Sequence, residues 1–213
     1  MNETIIRFEF RTFAHDFGPK RDMLHYLATL EELEEQTDIY LIAPGNHNHS
    51  IRVRNDCLSI KYLLRKSNDL EQWYPILQAP FPLTAQQLRQ ELFTSLNVMN
   101  PRLEYETYES EVFWEDLIKP HPAVCLAYVV KHRFLFSYGT CQAELSNIWI
   151  NGTPMQTLAM SDEDGETIER LRIKLNLQDH ENVSYPLALE RIMNLTPQLV
   201  WTNTWPLEKS TIG

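Results

Sequence analysis

The chain has 213 residues, 43% of them hydrophobic and 23% charged, with 19 Lys and Arg against 29 Asp and Glu for a formal net charge of −10. Such a composition fits a single globular domain that buries its own core. The acidic balance argues against non-specific binding to duplex DNA or to an anionic membrane surface, and no apolar run approaches the roughly 18 to 20 residues that cross a bilayer. Met1-Asn2-Glu3-Thr4 lacks the basic start and apolar centre of a signal peptide, which predicts a cytoplasmic protein. Cys57, Cys125 and Cys141 are isolated from one another and read as small core residues, without the paired spacings of a zinc site or disulfide scaffold.

From Thr4 to Phe13, Ile6, Phe8 and Phe10 alternate with Arg7, Glu9 and Arg11, the period of two that marks a strand. Pro19 to Gln36 carries Met23, Leu24, Leu27, Leu30 and Leu33 at helical spacing, ending in Glu31, Glu32, Glu34 and Glu35, and a helix is expected there. Ile39 to Ala43 reads as a short strand, while Ser50 to Arg54 and Leu58 to Leu64 read as a hairpin about Asn55-Asp56. Prolines at 75, 80, 82, 101, 120 and 122 punctuate a helical insertion expected over 69–119, with helices at Leu83 to Met99, capped by Thr84, and at Ser110 to Ile118. Ala123 to Tyr138, Cys141 to Ile150 and Met155 to Met160 follow as strands, the last two joined by a turn at Asn151-Gly152. Helices at Thr167 to Leu175 and Pro186 to Asn194 close a domain spanning 1–195. The tail 196–213 holds Trp201 and Trp205 without usable periodicity. About eight strands with helices between them predict an α+β fold whose antiparallel sheet curls into a barrel.

The chemistry lies in where the basic residues fall. Alternation puts Arg7, Glu9 and Arg11 on one strand face, Arg52 with Arg54 on a second, Lys61 on a third and Lys131 with Arg133 on a fourth. Ile51, Val53, Leu58, Ile60, Val130 and Phe134 take the opposite faces. If the apolar faces pack on helices, the charged faces point either to bulk water, as in any half-exposed sheet, or into a shared lumen. In the second case a concave basic surface, opposed by Glu9 and Glu144, suits a compact polyanion such as a triphosphate, because Arg forks bind phosphate oxygens in bidentate fashion. His47 and His49 read as loop residues rather than metal ligands, His132 as a packed histidine, and Leu70 to Pro75 as aromatics packed in the core or over a barrel mouth. There is no Gly-rich phosphate loop, nucleophile elbow or His-Glu-x-x-His motif.

The ordered set Arg7-Phe8-Glu9-Phe10-Arg11, Ile51-Arg52-Val53-Arg54, Leu58-Ser59-Ile60-Lys61, Val129-Val130-Lys131-His132-Arg133, Ala143-Glu144-Leu145 and Thr157-Leu158-Ala159-Met160-Ser161 resembles the CYTH domain of the triphosphate tunnel metalloenzymes. The resemblance runs from about Ile5 to Met193. It implies an eight-stranded antiparallel barrel whose lumen holds a triphosphate ligand, be it a nucleotide, thiamine triphosphate or inorganic polyphosphate. Arg11, Arg52, Arg54, Lys61, Lys131 and Arg133 would clamp phosphates, and Glu9 and Glu144 would hold Mg2+ or Mn2+ for hydrolysis or cyclisation. The chain departs from the family pattern at Arg7, Ala159 and Ser161, where that pattern has glutamates. Because hard cations need carboxylate oxygens, these departures predict a weakened metal site. The reading is therefore a triphosphate-binding tunnel, either a weak metal-dependent triphosphatase or a sensor that retains binding without chemistry. A protein-interaction module using the aromatic residues of the tail is the third alternative.

Overall fold

A computed structural model describes residues 5–195. Its centre is a closed antiparallel barrel of eight strands: β1 (Phe8–Ala14), β2 (Thr29–Ile42), β3 (His49–Arg54), β4 (Cys57–Ser67), β5 (Leu70–Pro80), β8 (Cys125–Tyr138), β9 (Cys141–Ile150) and β10 (Thr153–Asp162). Around the barrel the order is β1-β10-β9-β8-β2-β3-β4-β5, and β5 closes it against β1 through Glu9 opposite Glu71. The α+β barrel expected from the alternation is the architecture found. Two of its hairpins turn on short polar pairs, Asn55-Asp56 and Asn151-Gly152, all four residues at positive φ, the geometry that a two-residue hairpin requires and that Asn, Asp and Gly tolerate.

Two expectations are corrected. The segment Pro19 to Gln36 is not one helix: α1 (Pro19–Leu27) stops at Ala28, and from Thr29 the chain is a 14-residue strand that runs to Ile42 and so absorbs all but the last residue of the strand expected at Ile39 to Ala43. Leucines at helical spacing among glutamates are good helix formers, but β8 and β3 both need a partner there. Pairing of Glu34 with Arg133 and of Tyr40 with Arg52 overrides the local preference. The insertion likewise begins after β5, since 70–80 is a barrel strand paired along β4.

The insertion proper carries a two-stranded ribbon of β6 (Leu83–Thr84) and β7 (Thr107–Tyr108), and a continuous helical run. That run comprises α2 (Ala85–Gln87), a π-helical stretch (Leu88–Leu92) and α3 (Phe93–Leu96). Thr84 caps it as expected, in a reciprocal capping box with Gln87. A second run joins α4 (Ser110–Val112) to a π-helical stretch (Phe113–Ile118). Both runs cover the outward faces of β3 and β4, where Ile51, Val53, Leu58 and Ile60 pack against Leu88, Phe93, Leu96 and Phe113. On the opposite side α5 (Gly165–Lys174), capped by Asp164, lays Ile168 and Leu171 against Phe10, Leu158 and Met160. The final helix, α6 (Tyr185–Ile192), behaves differently. Its Tyr185, Ala188 and Leu189 pack against Phe13, Tyr40, Ile42, Ala127, Val129, Ile148 and Met155, inward-facing positions at one end of the barrel. Helix α6 therefore closes that end from inside, and Glu190 anchors it by accepting the Gly45 N–H at 3.0 Å and facing His47 Nδ1 at 3.0 Å. Among the described residues no helix is long and apolar enough to cross a membrane. Trp201 and Trp205 lie outside the described residues.

Candidate functional site

Alternation delivers the predicted charges to one place. A cavity of about 160 Å3 in the barrel lumen is lined by Glu9, Arg11, Arg52, Arg54, Lys61, Lys131, Arg133 and Glu144. It opens into a wider space of about 660 Å3 that reaches Glu31, Glu32 and Ser161. Each of these side chains points inward because its strand neighbours pack outward, as Ile51 and Val53 do beside Arg52. Of the predicted basic set, Arg7 alone does not line the cavity. It precedes β1 and donates to the Gln142 side chain and the Thr140 carbonyl.

The lumen is not the unbalanced basic surface that the sequence suggests, because every basic side chain lining the cavity has a carboxylate near it. Asp38, fully buried, accepts from Arg54 Nε at 2.6 Å and faces Lys131 Nζ at 2.6 Å and Arg52 Nη1 at 3.6 Å. Glu144 accepts from Arg133 Nη2 at 2.8 Å and from Ser146 Oγ at 2.7 Å, with Arg11 Nη1 at 3.6 Å. Arg133 also donates to Glu34, and Lys61 Nζ lies 3.7 Å from Glu9. The sequence does not mark Asp38 or Glu34 as lumen residues, Glu34 because its segment reads as the end of a helix. The strand alternation Gln36, Asp38, Tyr40 against Thr37 and Ile39 was the signal that carried them.

These pairs explain how a low-dielectric barrel tolerates so many charges. Burial works against ionisation of Asp38, but hydrogen bonding to Arg54 and the charges of Lys131 and Arg52 outweigh it and hold the carboxyl well below its usual range. Glu144 is likewise depressed, burial being overcome by Arg11 and Arg133. Burial disfavours the Lys131 ammonium, yet Tyr185, Tyr40, Asp38 and Glu144 raise it above its ordinary value. Its ammonium sits 4.0 Å from the centre of the Tyr185 ring and donates to Tyr40 Oη at 3.3 Å.

The contacts sort the cations into two groups. Arg54, Lys131 and Arg133 hold carboxylates at hydrogen-bonding distance and lock strands together. Arg11, Arg52 and Lys61 meet theirs only at 3.6–3.7 Å, beyond a hydrogen bond, and although Arg11 Nη1 also donates to Thr157 Oγ1 at 3.2 Å, these three are the cations least committed to carboxylates.

The residues present do not make a resident divalent-cation site. Glu144 is committed to Arg133, Ser146 and Arg11, Glu9 lies beside Lys61, and among the described residues no three His, Cys, Asp or Glu side chains gather as a metal-holding group. The departures fall where they matter. Ala159 is opposite both Arg11 and Glu144, and Ser161 is opposite Glu9. Other histidines and carboxylates lie elsewhere. His132 points outward with its ring edge-on to Trp149, His49 sits beside Asn46 and Tyr62, and Asp162 and Asp164 accept backbone N–H groups at the start of α5.

No protein-family model and no curated protein matches the sequence. Among solved structures the chain is similar to a conserved hypothetical protein from Pyrococcus furiosus, at 18% identity over 86% of this chain and 99% of that one with a TM-score of 0.49. It is also similar to an adenylyl cyclase-type protein from Hippeastrum described as having a dominant triphosphatase activity, at 13% identity over 90% and 98% with a TM-score of 0.48. A third is the RNA triphosphatase domain of a mimivirus mRNA capping enzyme, at 12% identity over 83% and 91% with a TM-score of 0.46. The eight strands, their closure and the inward-facing charges are the tunnel architecture that the resemblance to the CYTH domain implies.

Proposed function

We propose that the protein is a receptor for a polyphosphate-class anion, bound in the barrel lumen by Arg11, Arg52 and Lys61, with Arg54, Lys131 and Arg133 supplying the background positive potential. The observation that carries the reading is the convergence of these six side chains from β1, β3, β4 and β8 on one cavity of the barrel lumen. A triphosphate with several charged oxygens gains from each donor, and exclusion of water strengthens every contact. Binding with little hydrolysis is favoured because, of the two carboxylates a catalytic cation would use, Glu144 is already held by Arg133 and Arg11 and Glu9 lies beside Lys61. In phosphoryl transfer, positioning and charge neutralisation are most of the catalysis.

Calorimetric titration with tripolyphosphate, with and without Mg2+, tests this. Wild type is expected to bind in both conditions with slow turnover. Arg52→Ala combined with Lys61→Ala is expected to lose most of the affinity, each charged hydrogen bond being worth about 1.5–3 kcal/mol. Equal binding by the double variant would place the anion elsewhere, and fast Mg2+-dependent turnover abolished by Glu9→Gln would make the protein an enzyme.

A further inference from the structure

The inner end of the cavity is formed by Ser184, Tyr185 and Pro186 at the N-terminus of α6. Helix N-termini carry unsatisfied N–H groups and a partial positive charge, and this one is left uncapped: Ser184 stands at the N-cap position but its hydroxyl makes no capping bond. A second feature points the same way. Tyr185 is 93% buried by its 7% exposure, and its hydroxyl has no hydrogen-bond partner among the described residues. Its ring is held firmly, stacked on Tyr40 at 5.1 Å and edge-on to Phe13 at 5.3 Å. Lys131 Nζ lies 4.0 Å and Arg11 Cζ 4.8 Å from the ring centre, and neither cation can accept a hydrogen bond. Burial pushes the phenol up from its ordinary value, so it keeps its proton at neutral pH. A protonated hydroxyl buried without an acceptor costs free energy that an incoming anionic oxygen would recover.

We infer that Tyr185 and the uncapped first turn of α6 are the seat of the ligand's terminal phosphoryl group, with the Tyr185 hydroxyl donating to it and the rest of the polyphosphate chain running outward past Arg11 and Lys61. This rests on the anion-receptor reading and adds to it an orientation and a ligand requirement. Packing of Ala188 and Leu189 against Ile42, Val129 and Ile148 blocks passage beyond α6, so a ligand reaches this seat with an end and not with its middle. The terminal group also bears the most charge per phosphorus, which the helix N-terminus favours. Linear phosphates with a free terminus are therefore the preferred class, and a cyclic phosphate of equal length is a poor fit.

Tyr185→Phe removes the hydroxyl and keeps the ring stacking. Calorimetry on the full chain is expected to show tripolyphosphate and pyrophosphate each weakened about tenfold by the substitution, the loss of one hydrogen bond to a charged acceptor. Cyclic trimetaphosphate, which has no terminal group, is expected to bind wild type more weakly and to be unaffected by the substitution. The melting temperature of unliganded Tyr185→Phe is expected to equal or exceed that of wild type, since a buried unpaired hydroxyl has been removed. If wild type binds tripolyphosphate and Tyr185→Phe binds it equally well, or if trimetaphosphate loses as much as the linear phosphates, the terminal seat is wrong while the receptor reading stands. Wild type that binds no linear phosphate overturns both.

Discussion

Replacing Asp38 by Asn keeps the size and shape of the side chain and removes the charge that Arg52, Arg54 and Lys131 share. Asp38 is fully buried and Lys131 is 3% exposed, so water cannot make good the loss. Breaking a buried pair by neutralising one partner costs about 3–5 kcal/mol. The side chains of Arg52 and Arg54 keep 26% and 28% exposure and are partly solvated, which argues for the lower end, about 3 kcal/mol. For a chain of this size each kcal/mol moves the melting temperature by about 2–4 °C, so a fall of about 10 °C is expected by calorimetry or circular dichroism at pH 7. The pH dependence gives an independent check. Because the folded state holds Asp38 below its unfolded value of about 3.9, its contribution is fully present above about pH 5 and declines as pH falls below about 4. The gap between wild type and Asp38→Asn should therefore narrow with acid, the wild type losing what the variant has already lost. The same change leaves three cations without their carboxylate, so tripolyphosphate should bind the variant more tightly and raise its melting temperature more than it does for wild type. A variant that melts within about 2 °C of wild type, with no gain in anion affinity, would refute the view that Asp38 is the internal counter-ion of this lumen.

Ala159→Glu with Ser161→Glu adds carboxylates opposite Glu144 and Glu9. Mn2+ affinity measured by calorimetry is expected to rise at least tenfold, and unchanged Mn2+ binding would show that ligand count is not what limits the site. Thr84→Ala removes the capping box at the start of α2 and is expected to lower stability by about 1 kcal/mol in urea titration, with phosphate binding unchanged. A loss of binding in that variant would mean that the insertion shapes the lumen.

Much of this protein was legible without coordinates wherever the determinant was local. The period of two in Ile51-Arg52-Val53-Arg54 and in Leu58-Ser59-Ile60-Lys61 marked both the strands and their two faces, because a pleated backbone sends successive side chains to opposite sides whatever surrounds it. Asn55-Asp56 marked the turn through its tolerance of positive φ, and Thr84 with Gln87 marked a helix start through hydrogen bonds spanning three residues. What the sequence by itself could not reveal is whatever depends on partners distant along the chain. Glu31 to Glu35 look helical until β8 supplies Arg133 opposite Glu34. Asp38 looks like any strand-end acid until Arg54 from β3 and Lys131 from β8 close on it. Tyr185, just before the helix expected from Pro186, shows nothing of its role until barrel closure leaves an end that α6 fills from within. Local backbone preference decided the elements and their faces. Barrel closure, which buries charges that must then be compensated, decided which carboxylates oppose the basic residues and which hydroxyl lies at the bottom of the site.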